Sequence, residues 1–344
     1  MNSHSEMLLQ RTFCNTRRAF ARAKVEKRHK SAAETTAAAK KRLGLALPVL
    51  NSLVRGAGSA KRESKAVSEV DADDVEHKLI QLVKGCREEK ILFLGLDISS
   101  RVSGYGMLDS KGQGVSCSAI KTVSTDVIDI GNEINSFLSS NIDPIIYGYK
   151  KMGRAAQDFK DYELNIIFED CMTSFSPGKF NARGLMKLAQ VNGVARYSTW
   201  RHFGIRPALI HPTAARGFFQ LLRAKKGEEK KVKKRVFNYV TQYAPDLPWL
   251  DCGKEVAYDM TDAYLVAMYA RAMHVKHCIV SDVDLWTDLG VHPSILKGDG
   301  GRAAYGKPAM ELLDKAVQEW LKSRRGDLGL GLSDEEHSAA VQEV

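Results

Sequence analysis

Residues 91–98 read Ile-Leu-Phe-Leu-Gly-Leu-Asp-Ile, an apolar run broken near its end by one carboxylate. The run is short and lacks the three-to-four spacing of a helix, so it reads as a buried strand. Asp97 stands where that strand ends. An acid in such a place costs free energy unless it is paired or bound to something. The plainer account is a strand-end aspartate that caps a turn.

The pattern that follows makes this strand the first of a mixed α/β domain. Gly104 to Leu108 and Val115 to Ile120 read as two further strands. Asp126 to Ser139 carries Val127, Ile130, Ile134 and Phe137 at helical spacing. Ile142 to Tyr149 and Leu164 to Glu169 read as strands, Ala182 to Phe203 as a long helix, and Pro207 to Ile210 as a short strand. Helices are expected over Pro212 to Leu222, Lys231 to Ala244 and Tyr258 to His274. Three strands and then alternating helices and strands give an α/β class: a mixed sheet with helices on both faces. The domain spans 90–278. A helical lead-in at 66–89 precedes it, and a C-terminal extension, 279–344, follows. The extension holds a Gly-rich loop at Gly298, Gly300 and Gly301, an amphipathic helix from Pro308 to Lys322, and a disordered end of about fifteen residues.

Residues 1–65 have a different character. Met1 to Arg42 holds eleven Lys or Arg against Glu6, Glu26 and Glu34. A basic, acid-poor start of this kind suits an organellar transit segment, with the mitochondrion preferred and the chloroplast open. A basic arm that touches nucleic acid is the competing reading. The whole chain carries a formal net charge of +10, which suits a polyanionic partner. No apolar run reaches the ~20 residues of a membrane span. The six cysteines, at 14, 86, 117, 171, 252 and 278, form no CxxC pair and no His/Cys cluster at zinc spacing. That spacing argues against a structural zinc site and a secreted disulfide scaffold, and for reduced thiols packed in the core.

Asp97 has company. Glu169 follows the apolar residues Ile166, Ile167 and Phe168, at the end of another strand. Its neighbour Asp170 would point to the opposite side. Asp259 and Asp262 stand at i and i+3 near the start of a helix, on one face. The helix dipole alone would accommodate them. Together the four offer what two-metal phosphodiester cleavage requires, several carboxylates converging to hold two divalent ions. Oxygen-only ligands suit Mg2+, two per site, with Mn2+ able to substitute.

The segment Leu94-Gly95-Leu96-Asp97-Ile98-Ser99-Ser100-Arg101-Val102-Ser103-Gly104-Tyr105-Gly106 resembles the opening signature of RuvC-type Holliday-junction resolvases, of the organellar or phage-like branch. Glu169 resembles their second acid, Leu188 to Ala195 the helix after it, and Asp259-Met260-Thr261-Asp262-Ala263 their closing acidic pair. The resemblance covers about Lys90 to His274. It implies an RNase H-like, five-stranded mixed sheet, four metal-binding acids, and a homodimer acting on branched DNA. It also implies a basic residue near the scissile phosphate, for which Lys233 is the best match. The crowd around it (Lys225, Lys226, Lys230, Lys231, Lys234 and Arg235) suits phosphate contact, or simply a solvated basic face. Bacterial relatives place an aromatic nearer the second acid, where this chain has Cys171 and Met172. Phe175 and Phe180, with Lys179 between them, are the candidates for stacking on unpaired bases, against ordinary packing.

The expected function is therefore a structure-selective, metal-dependent endodeoxyribonuclease of an organelle. Two alternatives stay open. One is a non-catalytic nucleic-acid-binding factor, for example in mitochondrial ribosome assembly. The other is a nuclease acting on structured RNA.

Overall fold

The computed structural model describes residues 72–146, 161–170, 182–222, 229–249, 253–288 and 306–342. Expectations for residues 1–71, and for Lys225, Lys226, Phe175, Lys179 and Phe180, lie outside the described residues, as does the side chain of Lys230.

A five-stranded mixed sheet forms the centre, in the order β3-β2-β1-β4-β5. The strands are β1 (Ile91–Asp97), β2 (Val102–Asp109), β3 (Gly114–Lys121), β4 (Glu163–Glu169) and β5 (Ala208–Ile210). β1, β2 and β3 run as an antiparallel meander. β4 lies parallel to β1 on its other side, and β5 parallel to β4.

Side chains alternate across this sheet, and its two faces are built differently. One face carries Leu92, Leu94, Leu96 and Ile98 from β1 and its edge, Tyr105 and Met107 from β2, and Leu164, Ile166 and Phe168 from β4. Two helices cover it. Helix α2 (Val127–Ile146) contributes Ile130, Ile134, Leu138 and Ile142; helix α3 (Ala182–Phe203) contributes Val191 and Ala195. These buried side chains fill the layer between the two helices and the strands.

On the other face, crossed by the long helix α6 (Lys254–Ser281), three glycines leave β1 and β2 without side chains under the first half of the helix. A methyl group on Gly95 would overlap the backbone of Ala263 and Ala267, and one on Gly104 the backbone of Asp259 and Met260. Gly106, paired with Gly95 across the ladder, lies just as close to Tyr264. The helix backbone therefore rests directly on β1 and β2. The closeness is matched by small or tightly packed buried residues on α6, among them Ala263, Tyr264 and Ala267.

Two expectations need correction. The apolar run from Ile142 to Tyr149 predicts a strand, but residues 142–146 continue helix α2. Ile142 and Ile146 extend the buried stripe of Ile130, Ile134 and Leu138 by further turns, and that burial outweighs Pro144 inside the helix. The composition of the chain's end predicts disorder, but it folds into helix α9 (Asp334–Gln342). The Ser333 Oγ accepts from the Glu336 amide, while Glu336 accepts from the Ser333 amide, a reciprocal cap of the Ser-x-x-Glu type. Leu328, Leu330 and Leu332 are buried ahead of it, and the Leu332 amide donates to the Tyr239 hydroxyl at 3.0 Å. The guanidinium of buried Arg271, on α6, donates to the carbonyls of Ser110 and Gly329, fastening this segment to the sheet domain.

The chain divides into two compact units. Asp73–Asp282 with Trp320–Val344 makes the larger; Val283–Glu319 belongs to the smaller. Within the smaller unit the described residues form α7 (Val283–Asp288) and most of α8 (Gly306–Ser323).

The tight seat of α6 gives a direct test. Gly95→Ala should destabilise the protein by about 2 kcal/mol or more, because helix backbone must move to admit the methyl group. Gly85 lies inside helix α1 (Ala72–Glu88), where an added methyl group would meet nothing within 4 Å. Gly85→Ala should be neutral or stabilise by up to about 1 kcal/mol. Urea unfolding of the two variants beside the parent distinguishes them. Equal tolerance at both positions would contradict the close contact.

Candidate functional site

β1 and β4 are adjacent and parallel, with Leu96 level with Phe168, so Asp97 and Glu169 end neighbouring strands on the same side of the sheet. Both fall in the alternation that faces α6 rather than α2 and α3. Asp97 is paired across the ladder with Gly104, the position where the backbone of Asp259 presses on the sheet. The missing side chain at Gly104 thus brings the first half of α6, with Asp259 and Asp262, to the ends of the two strands. Asp170, beside Glu169, continues the strand pairing through its amide to the Ile210 carbonyl at 2.9 Å.

Asp259 and Asp262 lie one and a half to two and a half turns into α6, which starts at Lys254. They are too deep for the helix dipole to explain, since its influence fades within the first turn. Apolar periodicity alone starts this helix at Tyr258; the longer helix removes the dipole explanation.

Two basic side chains reach the acids. Arg216, from helix α4 (Pro212–Phe218), donates from Nη2 to Asp262 Oδ1 at 3.0 Å. Asp262 is 3% exposed, while Arg216 keeps 22% of its surface open, so the carboxylate is buried and the guanidinium partly so. Lys233, from helix α5 (Glu229–Tyr243), donates from Nζ to Asp259 Oδ1 at 3.0 Å, in a half-exposed position. Buried Asn192 of α3 donates through Nδ2 to the Glu169 carbonyl at 3.4 Å and holds the end of β4.

Burial, and after it the neighbouring charges, shift the proton affinity of Asp97, Glu169 and Asp262. Burial, then the charges of Glu169, Asp262 and Asp259, raise Asp97 well above the ordinary carboxylate range. Glu169 is pushed up to about 7, by burial first and then by Asp262, with Arg216 and Lys233 opposing. Burial also raises Asp262, although Arg216 and Lys233 counter it. Burial alone would lower Lys233 and Arg216. For Lys233 the hydrogen bond to Asp259, and for Arg216 the charge of Asp262, lead the effects that outweigh it and raise both.

Of the residues singled out in the sequence, Asp97, Glu169, Asp259, Asp262 and Lys233 come together here. Lys231, Lys234 and Arg235 share α5 with Lys233 but project at other angles, since successive residues turn by about 100°. Sequence reasoning missed Arg216 and Asn192. Arg216 did leave a signal: it is the lone charge in Pro212-Thr-Ala-Ala-Arg-Gly-Phe-Phe219, a short apolar segment directly after a strand. Asn192 lies within the helical segment Leu188 to Ala195, but nothing in spacing shows which carbonyl an amide will reach.

The four carboxylates do not form a group whose ligand atoms all lie within 4.8 Å; among the described residues only Cys86, Glu89 and Cys278 do that. Compared with known proteins, the chain matches no family model and no curated sequence.

The raised pKa of Glu169 has a definite pH signature. Between its ordinary value of 4.5 and its folded value of about 7, the folded protein binds the extra proton. The contribution is full at low pH and is lost as pH rises through 7. In metal-free protein the thermal midpoint should therefore fall across that window, and Glu169→Gln should reduce the fall. Mg2+ or Mn2+ should stabilise the parent clearly above pH 7 and little at about pH 5, where the cation must displace protons. A midpoint unmoved by either cation at high pH would count against the acids as ligands.

Proposed function

We propose that the chain is an RNase H-like, divalent-metal-dependent endonuclease that cuts branched DNA of the Holliday-junction type. The observation that carries this reading is the convergence of Asp97, Glu169, Asp259 and Asp262 at the ends of two adjacent parallel strands, with Lys233 beside them. The strand order, with an antiparallel meander followed by two parallel strands, supports the finer fold assignment.

The donor set fits hard divalent cations. All four donors are carboxylates, which Mg2+ and Mn2+ prefer. Among the described residues, two of the four are neutralised directly by a protein cation, Asp262 by Arg216 and Asp259 by Lys233. Asp97 and Glu169 are left charged among like charges, or protonated, until a cation arrives. Two bound divalent ions would supply an activated water and stabilisation of the leaving oxygen.

The chain's own residues divide the remaining work. Asp97 and Glu169, at the ends of adjacent strands, would hold the cations from the sheet side. Asp259 and Asp262 close the site from α6. Arg216 stays inside, tied to Asp262, and keeps that carboxylate aimed. Lys233 is half exposed, so its ammonium can turn from Asp259 to a phosphate oxygen and offset charge there. The net positive charge of the chain favours association with a polyanion. A homodimer, in which two such sites cut symmetric strands, and a mitochondrial address belong to the same proposal.

A second reading rests on one feature. Each acid of the α6 pair is already held by a protein cation. A domain that had given up catalysis could keep such pairs as structure and serve as a grip on structured nucleic acid, as in ribosome assembly.

Cleavage of a labelled four-way DNA junction, with duplex DNA and structured RNA beside it, separates these. Asp97→Asn and Glu169→Gln should each lower cleavage by at least about a hundredfold while junction binding persists. Lys233→Ala should cost about 10- to 100-fold. Binding without cutting in Mg2+ and Mn2+ by the parent protein would favour the second reading, and full activity of Asp97→Asn would end the first.

A further inference from the structure

The far half of α6 carries a second constellation, distinct from the acids. His274 and Cys278 are four residues apart on α6 and share a face. Cys86, in the last turn of α1, and Glu89, just beyond it, meet them from the other side. The sulfurs of Cys86 and Cys278 and a carboxylate oxygen of Glu89 all lie within 4.8 Å of one another. His274 Nε2 lies 2.7 Å from Glu89 Oε2 and 3.5 Å from Cys278 Sγ. On the strand side the Phe93 ring packs against the imidazole at 5.7 Å. Cys86 is buried, Cys278 and His274 are partly buried, and Glu89 reaches the surface.

We propose that Cys86, Glu89, His274 and Cys278 form a structural zinc site that staples α1 to α6. The donors are two sulfurs, one imidazole nitrogen and one carboxylate oxygen, the mixture that Zn2+ accepts in four-coordinate sites and that Mg2+ does not seek. In a tetrahedron with ordinary Zn–S, Zn–N and Zn–O lengths, neighbouring ligand atoms stand about 3.3–3.8 Å apart. Cys86, Glu89 and Cys278 are already grouped within 4.8 Å of one another, and His274, within 3.5 Å of Glu89 and of Cys278, completes the four by a shift toward Cys86. The short His274–Glu89 hydrogen bond is the contact an ion would replace. Each side of the site is a chelating pair, i and i+3 at the end of α1 and i and i+4 on α6, so little reorganisation is needed.

Sequence spacing argues against zinc because the four residues are split by 185 positions between Glu89 and His274. The fold removes that separation. The consequence is a tie between the lead-in helix and the sheet domain, at the opposite half of α6 from Asp259 and Asp262. It is independent of the nuclease reading.

The test uses the full chain, refolded or purified under a phosphine reductant, with excess Mg2+ to occupy carboxylate sites. Zinc is titrated, and metal content and cysteine alkylation are read by mass spectrometry. The expected result is one zinc per chain, with alkylation of Cys86 and Cys278 suppressed and restored by a chelator. Co2+ in place of zinc should give a thiolate charge-transfer band. His274→Ala, which removes one ligand and spares both cysteines, should lower zinc affinity by at least about 100-fold, the upper end of what loss of a ligand's outer partner costs. Zinc-free protein with both cysteines alkylated freely would overturn the proposal. So would a Cys86–Cys278 disulfide peptide that persists in the reductant with zinc present.

Discussion

Everything at the candidate site depends on how closely α6 lies against β1 and β2. A helix normally stands off a sheet by the thickness of two layers of side chains. Here Gly95, Gly104 and Gly106 remove one layer, and the helix backbone fills the space. Packing of this kind tolerates little change, because interiors are as dense as organic crystals and backbone has no rotamer to yield. The opposite face of the sheet, filled by leucine and isoleucine against α2 and α3, supports the strands behind that contact. Two acids from the sheet and two from the helix meet as a geometric result of this asymmetry.

The arrangement has an electrostatic cost that local structure alone does not offset. Among the described residues, the four carboxylates face one guanidinium and one ammonium. Buried like charges drive proton uptake, which is the direction in which Asp97, Glu169 and Asp262 are all displaced. Bound cations would relieve the same repulsion without protonation. Perturbed acids gathered at strand ends mark functional sites more often than structural ones, because a merely structural need is met more cheaply by apolar residues.

Much of this was legible in the sequence. The apolar run ending in Asp97, the strand before Glu169 and the i, i+3 pair at Asp259 and Asp262 each told where an acid would stand, because strand ends and helix faces follow from short-range periodicity. Lys233 was legible as the best match within a basic run, and the turn of α5 brings its ammonium, among that run, onto Asp259. The strand expected at Ile142 to Tyr149 failed because a short apolar run reads alike in both states, and the buried stripe of α2 decided it. The C-terminal fold was missed although Ser333 and Glu336 carried a helix-start pattern, since the burial of Leu330 and Leu332 depends on partners about a hundred residues away, Tyr239 among them. Arg216 and the Cys86–Cys278 cluster could not be placed for the same reason: their partners are distant in sequence and near only in the fold.

The most direct measurement is a crystal structure of the protein soaked in Mn2+, with anomalous scattering recorded at the metal edge. The account predicts two anomalous peaks among Asp97, Glu169, Asp259 and Asp262, with the Lys233 ammonium displaced from Asp259. No peak at that position, with Arg216 and Lys233 still seated on Asp262 and Asp259, would contradict it.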